Sequence, residues 1–384
     1  MIIRKTFKYR LKPNNAQRRL FAQFAGSCRF VYNRGLAQKI EVYEKSKTKL
    51  SYYDLNNQLP ALKQEYPWLK DVHSQVLQQG LKDLATAFTN FFRRVKNKET
   101  PGFPKFKAKG QRDSFRFPQG VKLNENLVYL PKIGLVKFKK SRDILGEINQ
   151  TTIKKEGKHW MVCFSCEYES SIPNYDLALS KSLGIDMGLA TYATFVKGLG
   201  NEVEKIENPR FLKKGLKKLQ YLSRDLSRKA KKSRNWYKAR QKLQNFHGFL
   251  RNSRNDFAHK LSTQLVKSHD IICVESLSIK AMLGSGSKNL SRAISDAGWS
   301  GFLENLKYKA SHAGKGFLQA DRFYPSTKNC HNCGQRHELS LKERVLDCSC
   351  GNKIDRDVNA AINIKQQCLK AVGTTVIKLV ELPH

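Results

Sequence analysis

Residues 4–12 alternate apolar and polar, with Phe7, Tyr9 and Leu11 on one face, which predicts a strand. From Asn15 the period changes. Leu20, Phe24, Cys28 and Val31 fit one helical face, with Pro13 just upstream. A second helix is expected from about Ser74 to Val95, where Leu77, Leu81, Leu84, Phe88, Phe91 and Val95 recur at helical spacing. Residues 121–170 break into short runs such as LVYL, GLVKF and HWMVCFSCEYE separated by glycine turns, the signature of a small β-barrel or sandwich. Two long helices follow at about 209–232 and 235–268. Leu212, Leu216, Leu219 and Leu226 line the first, and Leu243, Phe246, Leu250, Phe257, Leu261 and Leu265 the second.

Two runs have a different pattern. SLGIDMGLATYATFV (182–196) and DIICVESL (270–277) are almost continuously apolar, which suits strands buried on both faces in a helix-covered parallel sheet. Each holds one acid, Asp186 and Glu275, where burial of a charge costs several kcal/mol unless it is paired or metal-bound. Gly184 and Gly188 flank Asp186 and leave room for a close backbone approach. A third acid, Asp357, opens a predicted helix, VNAAINIKQQ, and Asp355 fits a cap or turn position before it.

If that helix packs beside the sheet, Asp357 joins Asp186 and Glu275. Three carboxylates within a few ångströms cannot all ionise unaided. Two Mg²⁺ or Mn²⁺ ions ~3.5–4 Å apart would relieve them and clamp both oxygens of a phosphodiester displacement. Other readings stay open for each acid alone: a turn cap for Asp186, an ion pair with Lys280 for Glu275, a helix N-terminal charge for Asp357.

Composition narrows the partner. The 384 residues include 71 Lys or Arg and 32 Asp or Glu, a formal net charge of +39. A polyanion is the expected partner. The sequence offers no apolar run near the ~20 residues that span a bilayer, and MIIRKTFKYRLKP reads as no secretory signal. A cytoplasmic setting follows as the expectation. In PGFPKFKAKGQRDSFRFPQG (101–120), Lys105, Lys107, Arg112 and Arg116 alternate with phenylalanines, a pattern suited to phosphate contacts with base stacking, or to a solvated loop pinned by aromatic anchors. Arg228, Lys229, Arg240 and Arg254 mark the basic side of the helical hairpin.

Four of the nine cysteines form C-x₂-C-x₁₄-C-x-C: Cys330, Cys333, Cys348 and Cys350. Two knuckles around a short hairpin predict one structural Zn²⁺, with His331 and His337 as possible replacement ligands. CFSC at 163–166 is excluded, because residues three apart in a strand point to opposite faces.

GIDMGL, VESLSIKAM, NCHNCG…CSCG and DRDVNAAINI, in that order, resemble the TnpB (OrfB) proteins of insertion sequences, relatives of the type V CRISPR effectors. LSRKAKKS, RNDFAHKLS, GFPKFK and SFRF add to the likeness. The resemblance implies a multi-domain α/β chain: an RNase H-like RuvC nuclease domain at 181–325 and 353–384, carrying the basic hairpin and interrupted by a zinc ribbon at 326–352. It also implies a wedge β-barrel at 1–12 and 100–180, interrupted by a helical recognition region at 13–99. Asp186, Glu275 and Asp357 become the expected catalytic, Mg²⁺-binding triad, with Asp355 only a neighbour. The expected activity is cleavage of double-stranded DNA beside a short motif, directed by a guide RNA encoded beside the gene, in the bacterial cytoplasm or nucleoid. The rival expectations are a strand-transferring transposase and a catalytically silent RNA-guided repressor.

Overall fold

The computed structural model describes residues 2–170, 177–285, 287–340 and 343–372. The last twelve residues of the expected nuclease segment, 373–384, lie outside them. The chain divides into two compact units, Met1–Ser171 and Ile172–His384. Among the described residues no helix is long and apolar enough to cross a membrane.

The first unit runs β1 (Ile2–Leu11), α1 (Asn15–Ser46), α2 (Tyr52–Asn57), α3 (Leu59–Glu65) and α4 (Ser74–Lys96). It continues through β2 (Ser114–Phe117), β3 (Lys122–Asn124), β4 (Leu127–Leu130), β5 (Gly134–Lys139), β6 (Glu147–Glu156) and β7 (His159–Glu169). Its seven-stranded sheet has the order β2-β6-β7-β1-β5-β4-β3, so the N-terminal strand sits at the centre of strands that come a hundred residues later. The chain leaves β1 through a capping box, in which Asn14 and Gln17 satisfy each other's backbone N–H. α1 and α4 approach closely at Gly35 and Gly80. A Cβ on Gly80 would meet Val31 at 3.1 Å and the Cys28 carbonyl at 3.2 Å. The expected apolar stripe of α4 is buried only as far as Leu84, and Val95 is exposed. In β7, Cys166 faces the core with Trp160, Val162 and Phe164, while Cys163 lies opposite Lys8 on the other face.

The second unit runs β8 (Ser182–Met187), β9 (Thr191–Lys197), β10 (Glu202–Glu207), α5 (Phe211–Ser227), α6 (Arg234–Ser268) and β11 (Ile271–Val274). Then come α7 (Ile279–Ser285), α8 (Lys288–Ala297), α9 (Trp299–His312), β12 (Gly316–Gln319), β13 (Val345–Asp347), β14 (Lys353–Asp355) and α10 (Arg356–Val372). Its five-stranded sheet is ordered β10-β9-β8-β11-β12. β8, β11 and β12 are parallel, whereas β9 and β10 are antiparallel additions. The apolar run 182–196 is therefore a hairpin rather than one strand. Gly188, where a Cβ would stand 2.7 Å from the Thr191 carbonyl, makes the reversal. β14 pairs with β13 in a ribbon separate from the five-stranded sheet.

Both faces of the sheet are covered, which is why β8 shows no alternation. Leu183, Ile185 and Met187 pack with Leu261 and Leu265 of α6 and Phe302 and Leu306 of α9. Gly184 and Asp186, two apart, turn to the opposite face, against α10. From Val358 to Lys365 every residue of α10 is buried. Lys365 reaches back to the β9–β10 turn, donating to the Gly198 carbonyl and to Asn201 Oδ1 at 2.7 Å.

The close seat of α10 on β8 depends on Gly184. A Cβ there would meet the Ala361 carbonyl oxygen and, at 2.8 Å, Cβ of Lys365. Gly184→Ala should destabilise the protein by ~2–3 kcal/mol, read as a lower thermal unfolding midpoint. An unchanged midpoint would show that α10 does not rest on this strand.

Candidate active site and metal centre

The parallel register fixes where the acids meet. Val274 pairs with Ile185, so Glu275, the next residue, stands beside Asp186 at the C-terminal end of the strands. Outside that end is where open parallel sheets bind ligands. α10 starts at the same place. Asp355 caps it, its Oδ1 accepting the N–H of Asp357 at 3.0 Å and of Val358 at 3.1 Å, while its other oxygen holds Lys205 at 2.8 Å. Asp357 is thereby fixed in the first turn, facing the sheet end. Three acids that lie 89 and 82 residues apart (186 to 275, 275 to 357) converge through a strand, a strand end and a helix start.

The electrostatics report the convergence. Burial, then the charges of Glu275 and Asp357, hold the Asp186 carboxyl well above the usual carboxylate range, with Arg356 pulling the other way. Burial likewise lifts Glu275 to about 7, partly countered by the Met187 N–H, which donates to its carboxylate at 3.3 Å. Met187 is the residue after Asp186, so one backbone amide orients the neighbouring acid. Arg356 Nε lies 3.7 Å from Asp357. The donor set is hard oxygen at a buried, acid-crowded edge, and it suits a divalent cation. The four cysteines are the one group among the described residues whose donor atoms all lie within 4.8 Å of one another. The acids are spread more widely than a single ion's compact shell, as repelling carboxylates should be.

The cysteines form the second centre. Sγ of Cys330 is 3.7 Å from that of Cys350, and Sγ of Cys333 is 3.5 Å from that of Cys348. A tetrahedron with the Zn–S bond of about 2.3 Å has edges near 3.8 Å, whereas a disulfide would need about 2.05 Å. Burial pushes the Cys330 thiol up, but donation from Asn352 and from the N–H groups of Cys333 and Asn332 brings it down to about 6, favouring the thiolate a metal needs. Neither histidine joins the group. His331 Nδ1 is held by Asn359 Oδ1 at 3.1 Å.

Asn359 and Asn363 were not singled out from the sequence. Four residues apart on α10, both donate to the carbonyls of Ser326 and Asn329, which flank the first knuckle. Asn359 also accepts the His331 N–H at 3.0 Å. Two buried asparagines one turn apart in an apolar helix were the available signal. Asp296 was missed as well. It ends up buried and takes the N–H groups of Leu212 and Lys213, capping α5 from α8.

The expected nucleic-acid contacts scatter. In the first unit Asp83 pairs with both Arg116 and Lys107 (the latter at 3.7 Å), and the Lys107 ammonium lies 3.9 Å over the Tyr32 ring. Lys105 and Arg112 are exposed. In the second unit Arg228 is exposed just past α5, and Lys229 pairs with Asp225 at 3.2 Å. Arg240 lies over Trp236, and Arg254 donates to the Ser295 carbonyl at 2.7 Å.

Three family models match the chain: OrfB_IS605, "Probable transposase", over residues 164–286; Cas12f1-like TNB domain over 299–364; and the OrfB_IS605 helix-turn-helix domain over 1–48. In this structure the described residues of that segment, 2–48, hold a strand and one long helix, with no turn between two helices. A protein of Escherichia coli (strain K12) named "Putative RNA-guided DNA endonuclease InsQ" is 36% identical over 377 residues, covering 93% of this chain and 90% of its own. A Streptomyces pristinaespiralis "Putative RNA-guided DNA endonuclease" is 34% identical over 371 residues, covering 94% and 89%. Among solved structures, a Cas12f1–sgRNA–target DNA complex shares the fold at a TM-score of 0.55 and 13% identity, over 95% of this chain and 99% of that one.

Two outcomes test this geometry. A glutamate raised from 4.5 to about 7 loses stability as pH climbs through 7, because burial then opposes its charge. In metal-free protein, Glu275→Gln should therefore be stabilising at pH 8, on the order of 2–3 kcal/mol, with the gain vanishing below pH 4.5. Denaturant titrations at both pH values check it. Separately, the protein should carry one zinc per chain by elemental analysis, and Cys330→Ser should lose it. Full zinc occupancy in Cys330→Ser would remove that cysteine from the ligand set.

Proposed function

The chain belongs to the TnpB (OrfB) family, and we propose that it is an RNA-guided DNA endonuclease that hydrolyses phosphodiesters at Asp186, Glu275 and Asp357. The observation that carries this reading is the meeting of those acids at the open end of three parallel strands, where burial first, and then the charges of Glu275 and Asp357, push the Asp186 carboxyl up. A structural role would place a cation between them, and among the described residues the ion pair these acids make is that of Asp357 with Arg356, at 3.7 Å. The names of the relatives support the activity, since the likeness spans nearly the full length of both chains.

Each acid has a distinct part. Asp186, on the central strand, is the inner ligand and the one most dependent on positive charge. Glu275 is aimed by the Met187 N–H. Asp357 is held by the Asp355 cap, so Asp355 acts as a positioning residue and not as a ligand. Two Mg²⁺ or Mn²⁺ ions, when bound, would neutralise the acids, lower the pKa of water and stabilise the charge that builds on the leaving oxygen. Asp186 and Glu275 would shed their protons as metal enters, so activity should rise with pH through about 7. The single Zn²⁺ is structural, held by Cys330, Cys333, Cys348 and Cys350 with no open position.

The partners are a guide RNA, encoded beside the gene, and a double-stranded DNA target bearing a short adjacent motif. The net charge of +39 supplies the attraction for three polyanionic strands. The setting is the bacterial cytoplasm or nucleoid. The match to the OrfB_IS605 family, described as a probable transposase, favours a second reading, DNA strand transfer by the same acids. Labelled transposon ends separate the two: joined products favour transfer, and guide-dependent cuts without joining favour hydrolysis.

In guide-loaded protein, Asp186→Ala should lower cleavage of matched DNA by on the order of 10³-fold or more, equivalent to about 4 kcal/mol of transition-state stabilisation. Guide and target binding should be retained. Cleavage at the normal rate would refute the assignment.

A further inference from the structure

Two of the three parallel strand ends are occupied by acids. The third, beyond β12, leads into Ala320–Tyr324. Ala320 donates its N–H to the Val274 carbonyl at 2.8 Å, one residue before Glu275, so the turn begins beside the candidate active site. It is internally closed. Asp321 Oδ1 accepts the Phe323 N–H at 2.8 Å, and the Tyr324 N–H donates to the Asp321 carbonyl at 3.2 Å. That closure projects Phe323 outward. At 84% exposure it is the most exposed large apolar side chain among the described residues. The Arg322 guanidinium sits 5.7 Å from the centre of its ring. Arg322, Tyr324, Glu275, Ser276 and Ser278 line one cavity of about 200 Å³.

A lone exposed phenylalanine needs no explanation. This one is held by its own turn's hydrogen bonds, carries an arginine, and is preceded and followed in the chain by residues, Arg322 and Tyr324, that line a cavity together with a candidate catalytic acid, Glu275. Every base has a face that stacks on an aromatic ring, and an arginine fork matches a phosphate. The site also has an electrostatic need. The acids repel the polyanion they are to cut, and Arg322 places a cation on the cavity that Glu275 lines, beside Asp321.

We propose that the Arg322–Phe323 turn is the clamp for the DNA strand being cut: Phe323 stacks on an unpaired base and Arg322 holds a phosphate beside the scissile one. The occupant is single-stranded DNA. In a duplex each base face is covered by its neighbours, so only an unpaired, unstacked base offers a free face to the exposed Phe323 ring. The proposal rests on the endonuclease reading above and adds to it the element that seats the substrate strand.

The test uses full-length, guide-loaded protein in single-turnover cleavage, with 2-aminopurine placed at successive positions of the displaced strand around the cut. In the wild type, one position near the cut should be quenched by the ring. Phe323→Ala should abolish that quenching and slow cleavage roughly tenfold to a hundredfold, and Phe323→Trp should restore both. Arg322→Ala should slow cleavage similarly, with Arg322→Lys recovering part of it. Thermal unfolding should match the wild type, because both side chains are exposed. If Phe323→Ala and Arg322→Ala cut at the wild-type rate with quenching intact while Asp186→Ala is inactive, the clamp is wrong and the endonuclease site stands. If Asp186→Ala also cuts, the endonuclease reading itself fails.

Discussion

Repulsion among Asp186, Glu275 and Asp357 is the constraint around which the second unit is built. Placing these acids at a poorly solvated strand end raises the energy of the metal-free fold: burial pushes both Asp186 and Glu275 up, and the charges of Glu275 and Asp357 add to it at Asp186. Something must hold them there. Gly184 lets α10 come down onto β8 without a Cβ in the way, and Lys365 ties the helix to the β9–β10 turn. The burial of α10 on every side from Val358 to Lys365 supplies the apolar contact that opposes the charge repulsion. Divalent cations would turn the same crowding into affinity.

The cysteine ribbon belongs to the same mechanical unit. β14 ends at Asp355 and α10 begins at Arg356, so ribbon and helix meet without a linker. Asp355 closes the ribbon's last strand and caps the helix at once. Asn359 and Asn363 then bind the carbonyls flanking the first knuckle. The direction of Asp357 therefore depends on the ribbon keeping its shape, which four thiolates around one ion would ensure. The cysteine cluster and Asp357 are connected here by a few hydrogen bonds along α10.

Much of this was legible in the chain. The alternation of residues 4–12, the change of period at Asn15 and the helices near 74, 209 and 235 correspond to β1, α1, α4, α5 and α6. The x₂ and x₁ cysteine spacings predicted the group that the Sγ distances assemble. Short runs were less readable. Residues 182–196 look like one buried strand because an apolar hairpin inside a covered sheet shows no alternation on either arm. Only the pairing of Met187 with Ala193 reveals the turn. At the basic positions the structure adds a partner that the sequence pattern does not show: Arg116 and Lys107, expected phosphate contacts, both lie against Asp83.

The sequence by itself determined which residues are out of place: one acid in each of two apolar strands, an acid opening an apolar helix, four cysteines in two knuckles. Each is visible because burial penalises polar groups locally, and a local penalty leaves a mark on a local pattern. Only the tertiary structure decided that the three acids share one edge, that the ribbon is bound to α10 through Asn359 and Asn363, and that Arg322 and Glu275 line one cavity. Those facts depend on the parallel register of β8, β11 and β12, set by backbone pairing between segments some 90 and 45 residues apart (182 to 271, 271 to 316). Backbone hydrogen bonds are the same for every residue type, so the register that brings distant side chains together leaves little trace in their identities.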